Sequence, residues 1–141
     1  MAPPSMIDMP GVRDDAGDRG SSPVEFVLVG TLLTLLTLAV LQLALAVYVR
    51  NVVHDAAVEG AYHAALADTD VQEGVDRTRL SITRAVGETY AEDVSAWRST
   101  SLGHATIEVR VRTTLPVIGL IGIPFALEID AHAPEESFDE G

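Results

Sequence analysis

A chain of 141 residues with 48% apolar residues and a formal charge of −12 has room for one small domain, or for a membrane helix plus a smaller one. All nine basic residues are Arg and they form no patch, which disfavours nucleic-acid binding from the outset. The absence of cysteine removes disulfides and thiolate metal sites without assigning a compartment.

Met1 to Gly20 is rich in Pro, Gly and Asp and has no apolar period. It reads as a disordered leader, in which Met6 and Met9 are alternative starts. Phe26 to Val49 carries no charge, and only Gly30, Thr31, Thr34, Thr37 and Gln42 interrupt its apolar character. As a helix it spans ~36 Å, enough for a ~30 Å hydrocarbon core. It is longer than the ~7–15 residues of a signal-peptide core. The Ala44-Leu45-Ala46 triplet nevertheless keeps a cleaved secretory signal as a rival reading. The remainder of the chain is too small to bury a helix that is apolar on every side.

The helical pattern does not stop at Arg50. An Ala-rich stretch without Pro continues it to about Ala67, giving one helix from about Ser22 that is ~69 Å long, about twice what a bilayer needs. Ala57, Gly60, Ala61, Ala64 and Ala65 recur at spacings of three and four. Such a stripe admits a second backbone at close range, either from the protein's own domain or from a neighbouring subunit. Asp68-Thr69-Asp70 marks a break and a new N-cap. Val71, Val75, Leu80, Ile82 and Val86 then predict an amphipathic helix that Gly87 ends.

A short strand is expected near Val94 to Ser99, around the only Trp. Ala105 to Leu115 alternates clearly: Ile107, Val109, Val111 and Leu115 on one face, Glu108, Arg110 and Arg112 on the other. Pro124 to Ala133 repeats the pattern, with Phe125, Leu127, Ile129 and Ala131 opposite Glu128, Asp130 and His132. Paired antiparallel, the strands put the two Arg beside Glu128 and Asp130. The connection between them, Pro116 to Ile123, is apolar, whereas loops normally face water. Val117, Ile118, Leu120 and Ile121 therefore either fold back over the core or contact a partner or membrane. The acidic end, Pro134 to Gly141, reads as solvated.

The expected fold class is α+β, with a long N-terminal transmembrane helix extending into a small helix-plus-β-hairpin domain. The boundaries are 1–20 (leader), 21–67 (helix), 68–133 (domain) and 134–141 (tail). Chemistry is sparse. His54, His63, His104 and His132 form no metal-ligand spacing, and no Ser or Gly-rich motif sits where a nucleophile or phosphate loop needs it. The expectation is a non-enzyme with no catalytic residue, no metal, no cofactor and no small-molecule substrate.

The junction RGSSPVEF, Arg19 to Phe26, has a local explanation. Ser22 would be an N-cap, Pro23 the first helical residue and Glu25 the reciprocal member of a capping box. That leaves Gly20, five residues before Glu25, unexplained. Gly, four residues, Glu, an aromatic residue and a long apolar helix resemble a prepilin processing site. From Arg19 to Ala65 the chain is similar to the TadE-like pseudopilins of tight-adherence (Flp) pilus systems. It shares the VEF motif, the Leu-rich helix and an Ala/Gly-rich stretch, although family members commonly carry Arg near position 58, where this chain reads AVEGAY.

The resemblance implies cleavage by a prepilin peptidase between Gly20 and Ser21. Glu25 becomes the fifth residue of the mature chain, followed by Phe26. It also implies a single-pass protein in the cytoplasmic membrane, N-terminus inside, whose partners are membrane lipid, the peptidase and other pilin or pseudopilin subunits. Arg13 and Arg19 before the run against Arg50 after it favour the same orientation weakly. The alternative is an unprocessed, single-pass anchored binding module.

Overall fold

The structure, a computed structural model, describes residues 1–4, 21–66, 68–100, 103–118 and 121–136. It divides into two units, Met1–Leu38 and Ala39–Gly141, with helix α1 (Ser21–Ala65) crossing the boundary. Among the described residues of the first unit α1 has no core to face. Val24, Phe26, Leu28, Leu32, Leu35 and Leu36 are all more than half exposed.

The second unit holds the rest of α1, helix α2 (Val71–Val86), a 3-10 turn at Glu88–Tyr90 and three strands, β1 (Asp93–Ser99), β2 (Thr106–Ile118) and β3 (Ile121–Pro134). α2 keeps the limits its punctuation predicts. Asp70 Oδ1 accepts the Glu73 amide at 2.8 Å, satisfying one of the unpaired donors of the first turn. At the other end Gly87 adopts φ 110° and its amide returns to the Thr83 carbonyl at 3.1 Å. The buried face differs in detail from the apolar pattern. Gly74 and Thr78 join Val75 and Ile82 in the interior, whereas Leu80 is exposed. Thr78 tolerates burial because its hydroxyl donates to the Gly74 carbonyl at 2.9 Å.

The strands form an antiparallel meander in the order β1-β2-β3. Ile107, Val109 and Val111 are fully buried, with Leu127, Ile129 and Ala131 beside them on β3. This inward face, with Val49, Val53, Ala57, Ala61 and Ala64 of α1 and Val75 and Ile82 of α2, makes one core. The outward face carries the charges. Arg110 lies opposite Asp130 and Arg112 opposite Glu128, at 2.6 and 2.7 Å.

Two expectations about the hairpin change. Residues 116–123 do not form a long loop: β2 runs on to Ile118 and β3 already starts at Ile121, with Ile118 paired to Ile121. The price of carrying two prolines this far is paid in register. The pairing shifts between Thr113 and Leu115 and again between Pro116 and Ile118, because Pro116 and Pro124 have no amide for a regular ladder. At the first shift Pro124, Phe125 and Ala126 are left without ladder partners. Phe125 takes φ 56° and is 66% exposed, so it leaves the inward face that its alternation with Leu127 predicts.

Candidate functional site: the N-terminal helix and its two faces

α1 begins at Ser21, one residue earlier than expected. Ser22 is thus a helical residue and not the N-cap, and the first turn contains no acidic residue. This displaces the expected capping box of Ser22, Pro23 and Glu25. The helix can start ahead of Pro23 because the first-turn amides have no intrahelical partner in any case. Gly20, the residue before the helix, lies outside the described residues, as does the side-chain environment of Ser21. Glu25 is exposed and has no hydrogen-bond or ion-pair partner among the described residues. Phe26, beside it, is 80% exposed.

From Phe26 onward the helix has little polar surface to offer. The three threonines donate to carbonyls one turn back, Thr31 to Val27 at 2.8 Å, Thr34 to Gly30 at 2.9 Å and Thr37 to Leu33 at 2.9 Å. Their hydroxyls are satisfied within the helix itself, which is what a segment without water requires. Ser22–Ala65 has mean hydropathy 2.3 in its most apolar stretch, only 6% of which is buried.

Further along, within the second unit, α1 changes role. Ala57, Gly60, Ala61, Ala64 and Ala65 are buried. A Cβ on Gly60 would fall 1.8 Å from Thr78 Oγ1 and 2.6 Å from the Gly74 carbonyl oxygen. A Cβ on Gly74 would meet that of Ala64 at 2.6 Å. The small-residue stripe is therefore occupied by the chain's own α2, backbone against backbone. Glu59 closes the contact: it accepts from Arg77 Nε and Nη2 at 2.9 and 2.7 Å and from Ser81 Oγ at 2.8 Å. The Arg77 hydrogen bonds, then that from Ser81, hold the Glu59 carboxyl below its ordinary range. Sequence reasoning did not find this clamp, because Glu59 lies eighteen or more residues from both Arg77 and Ser81 and no local period links it to them.

On the outward face of the sheet, Arg110 sits 5.1 Å from the centre of the Trp97 ring, a cation–π distance. With Asp130 also on Arg110, and Glu128 on Arg112, the strand cations are neutralised within the sheet. Of the proposed contact residues, Val117 and Ile118 lie on β2 and Ile121 on β3, while Leu120 is outside the described residues. A groove of about 380 Å³ lined by Glu59, Tyr62, His63, Arg77, Pro134 and Glu136 has its one Arg already bound to Glu59. Among the described residues no group of three metal-ligating side chains is brought together.

A lone exposed apolar helix at the N-terminus, joined to a small α+β fold, points to a membrane-anchored protein. Residues 20–61 match the TadE family, described as TadE-like protein, which bears out the resemblance carried by the VEF junction and the Leu-rich helix. The match spans the junction and most of α1 and includes no residue of α2 or of the sheet. No curated protein and no solved structure matches the chain.

Proposed function

We propose that the chain is a TadE-like minor pilin or pseudopilin, cut between Gly20 and Ser21 by a prepilin peptidase and acting structurally, not as an enzyme, in tight-adherence pilus assembly or secretion. The observation that carries this reading is the Gly20–Glu25–Phe26 spacing at the head of an exposed apolar helix, all inside the segment that matches the family. Gly before the scissile bond leaves the backbone open to a peptidase. After the cut, Ser21 carries a new amine. Glu25, a carboxylate with no partner among the described residues, is then available to the terminal amine of a neighbouring subunit, because a carboxylate among apolar helices needs a cationic partner.

In this reading α1 anchors the protein in the cytoplasmic membrane with its N-terminus inside, and the fold from α2 to β3 lies outside. The occupied stripe on α1 supports a division of labour. The exposed run up to about Leu41 is left for lipid and sibling helices, and from Val49 onward the helix is committed to the chain's own domain.

The test is the N-terminal residue of the protein recovered from membranes of a host carrying the peptidase. Ser21 is expected, and Gly20→Leu should abolish the cut. An uncut N-terminus would overturn the pseudopilin reading and leave an anchored binding module. A start at Val47 would overturn the membrane anchor too.

A further inference from the structure

We infer that copies of this chain stack head to tail: Arg84, in the last turn of α2 of one copy, enters the groove beside Tyr62 and Glu136 of a second copy. This deepens the proposed subunit role and rests on it, but not on the cut at Gly20.

The first observation is charge left over within the chain. The sequence has no lysine, so arginine supplies every basic side chain apart from His. Arg77, Arg79, Arg98, Arg110 and Arg112 each hold a carboxylate at 3.8 Å or less. Arg50 and Arg84 are exposed and have no carboxylate partner among the described residues. Glu88 follows Arg84 by four residues, but pairing at that spacing needs a continuous helix, and α2 has ended at Val86.

The second observation is the chemistry of the groove of about 380 Å³. Within it Glu59 and Arg77 cancel each other. What remains is the Glu136 carboxylate, without a partner among the described residues, and the Tyr62 ring, 59% exposed. Leu66 and Pro134 add apolar walls. This set suits a guanidinium: its plane stacks on an aromatic ring, its stem lies along apolar surface and its N–H groups grip a carboxylate.

The third observation is that the two features lie at different levels of one helical hairpin. α2 returns antiparallel along α1: Gly74 lies against Ala64, Thr78 against Gly60, and Ser81 bonds Glu59. At ~1.5 Å per residue this register brings Arg84 level with about Val53 on α1, within a turn of Arg50. Tyr62 and Leu66 lie ~14–20 Å further along, so Arg84 does not reach the groove of its own copy. Two different patches make a heterologous contact, which repeats as an open series unless its rotation closes a ring. Copies at equal depth in one bilayer are out of step by the same ~14–20 Å. The contact therefore belongs to a copy raised past its neighbour, as stacking requires.

The chain has no cysteine, so cross-links can be placed singly on the full-length protein in non-ionic detergent. Ala85→Cys sits beside Arg84 and Leu66→Cys at the groove, both at exposed positions. With both in one chain, a short bismaleimide should give a ladder of dimers, trimers and higher species. Each alone should stay at background, and a mixture of the two single-Cys chains should stop at dimers. Arg84→Glu and Glu136→Arg should each lower the cross-linked yield about five-fold. The yield should return when a chain with Arg84→Glu and Ala85→Cys is mixed with one carrying Glu136→Arg and Leu66→Cys. Cross-links between like positions only, 66 to 66 or 85 to 85, would show copies side by side in register and overturn the stacking. A ladder unmoved by either charge reversal would overturn the Arg84–Glu136 contact, and so would the absence of any 66-to-85 product. Ser21 at the N-terminus of that same sample would then leave the pseudopilin reading standing.

Discussion

At the scale of single residues, the determinants of α2 were legible because they are local. Asp70 caps it and Gly87 stops it, both within a few residues of the segment they delimit. Glu59 is the opposite case. Nothing near it in the sequence shows that Arg77 and Ser81 hold it against α2. Its lowered folded pKa means that its contribution to stability is present above the ordinary carboxyl value of 4.5 and is lost as pH falls through the folded value. Glu59→Gln should therefore reduce stability near neutral pH, and the difference from the parent should shrink and vanish as pH falls through the lowered folded value. With both side chains more than a third exposed, the loss should stay below ~1 kcal/mol. Urea unfolding of the detergent-solubilised protein across this pH range checks it, and a deficit that grows on acidification would contradict it.

At the scale of elements, two backbones in contact decide more than the apolar pattern does. The spacing of Ala57, Gly60, Ala61 and Ala64 marked a close-packing face, but not whether the chain itself or a neighbour filled it. Gly74, whose flesh-free backbone receives Gly60, had no visible role. Gly60→Ala should destabilise the domain by about 1–3 kcal/mol through overpacking, even though Ala is favoured over Gly in a helix by ~1 kcal/mol. The Cβ at 1.8 Å from Thr78 Oγ1 and 2.6 Å from a carbonyl has nowhere to go. Gly30→Ala, with nothing within 4 Å, is the control and should show no such loss. A Gly60→Ala protein with an unchanged thermal midpoint would mean that the helices part easily. In the sheet, alternation located Ile107, Val109 and Val111 correctly and set Arg110 against Asp130. It misplaced Phe125, because a period of two holds only while the register is regular, and Pro116 and Pro124 break it.

At the scale of the whole molecule, the apolar run sets the environment. The large hydrophobic side chains from Phe26 to Leu38 are exposed and have no core among the described residues of their own unit, so lipid is the surrounding that this composition suits. Leu35→Asp should raise the cost of insertion by about 3–4 kcal/mol. The share of protein resisting alkaline extraction from membranes should fall accordingly. Full retention would show that another segment anchors the chain.

The sequence by itself determined the elements and their class: one long helix, a capped amphipathic helix, alternating strands, and a junction recognisable as TadE-like. These follow from periods, caps and composition, which act over a few residues. The tertiary structure alone decided which partner fills the small-residue stripe, where Glu59 finds its partners, how far the hairpin extends and which way Phe125 turns. Those outcomes depend on close packing and hydrogen bonds between residues far apart in the chain, and no local pattern encodes the distance between them.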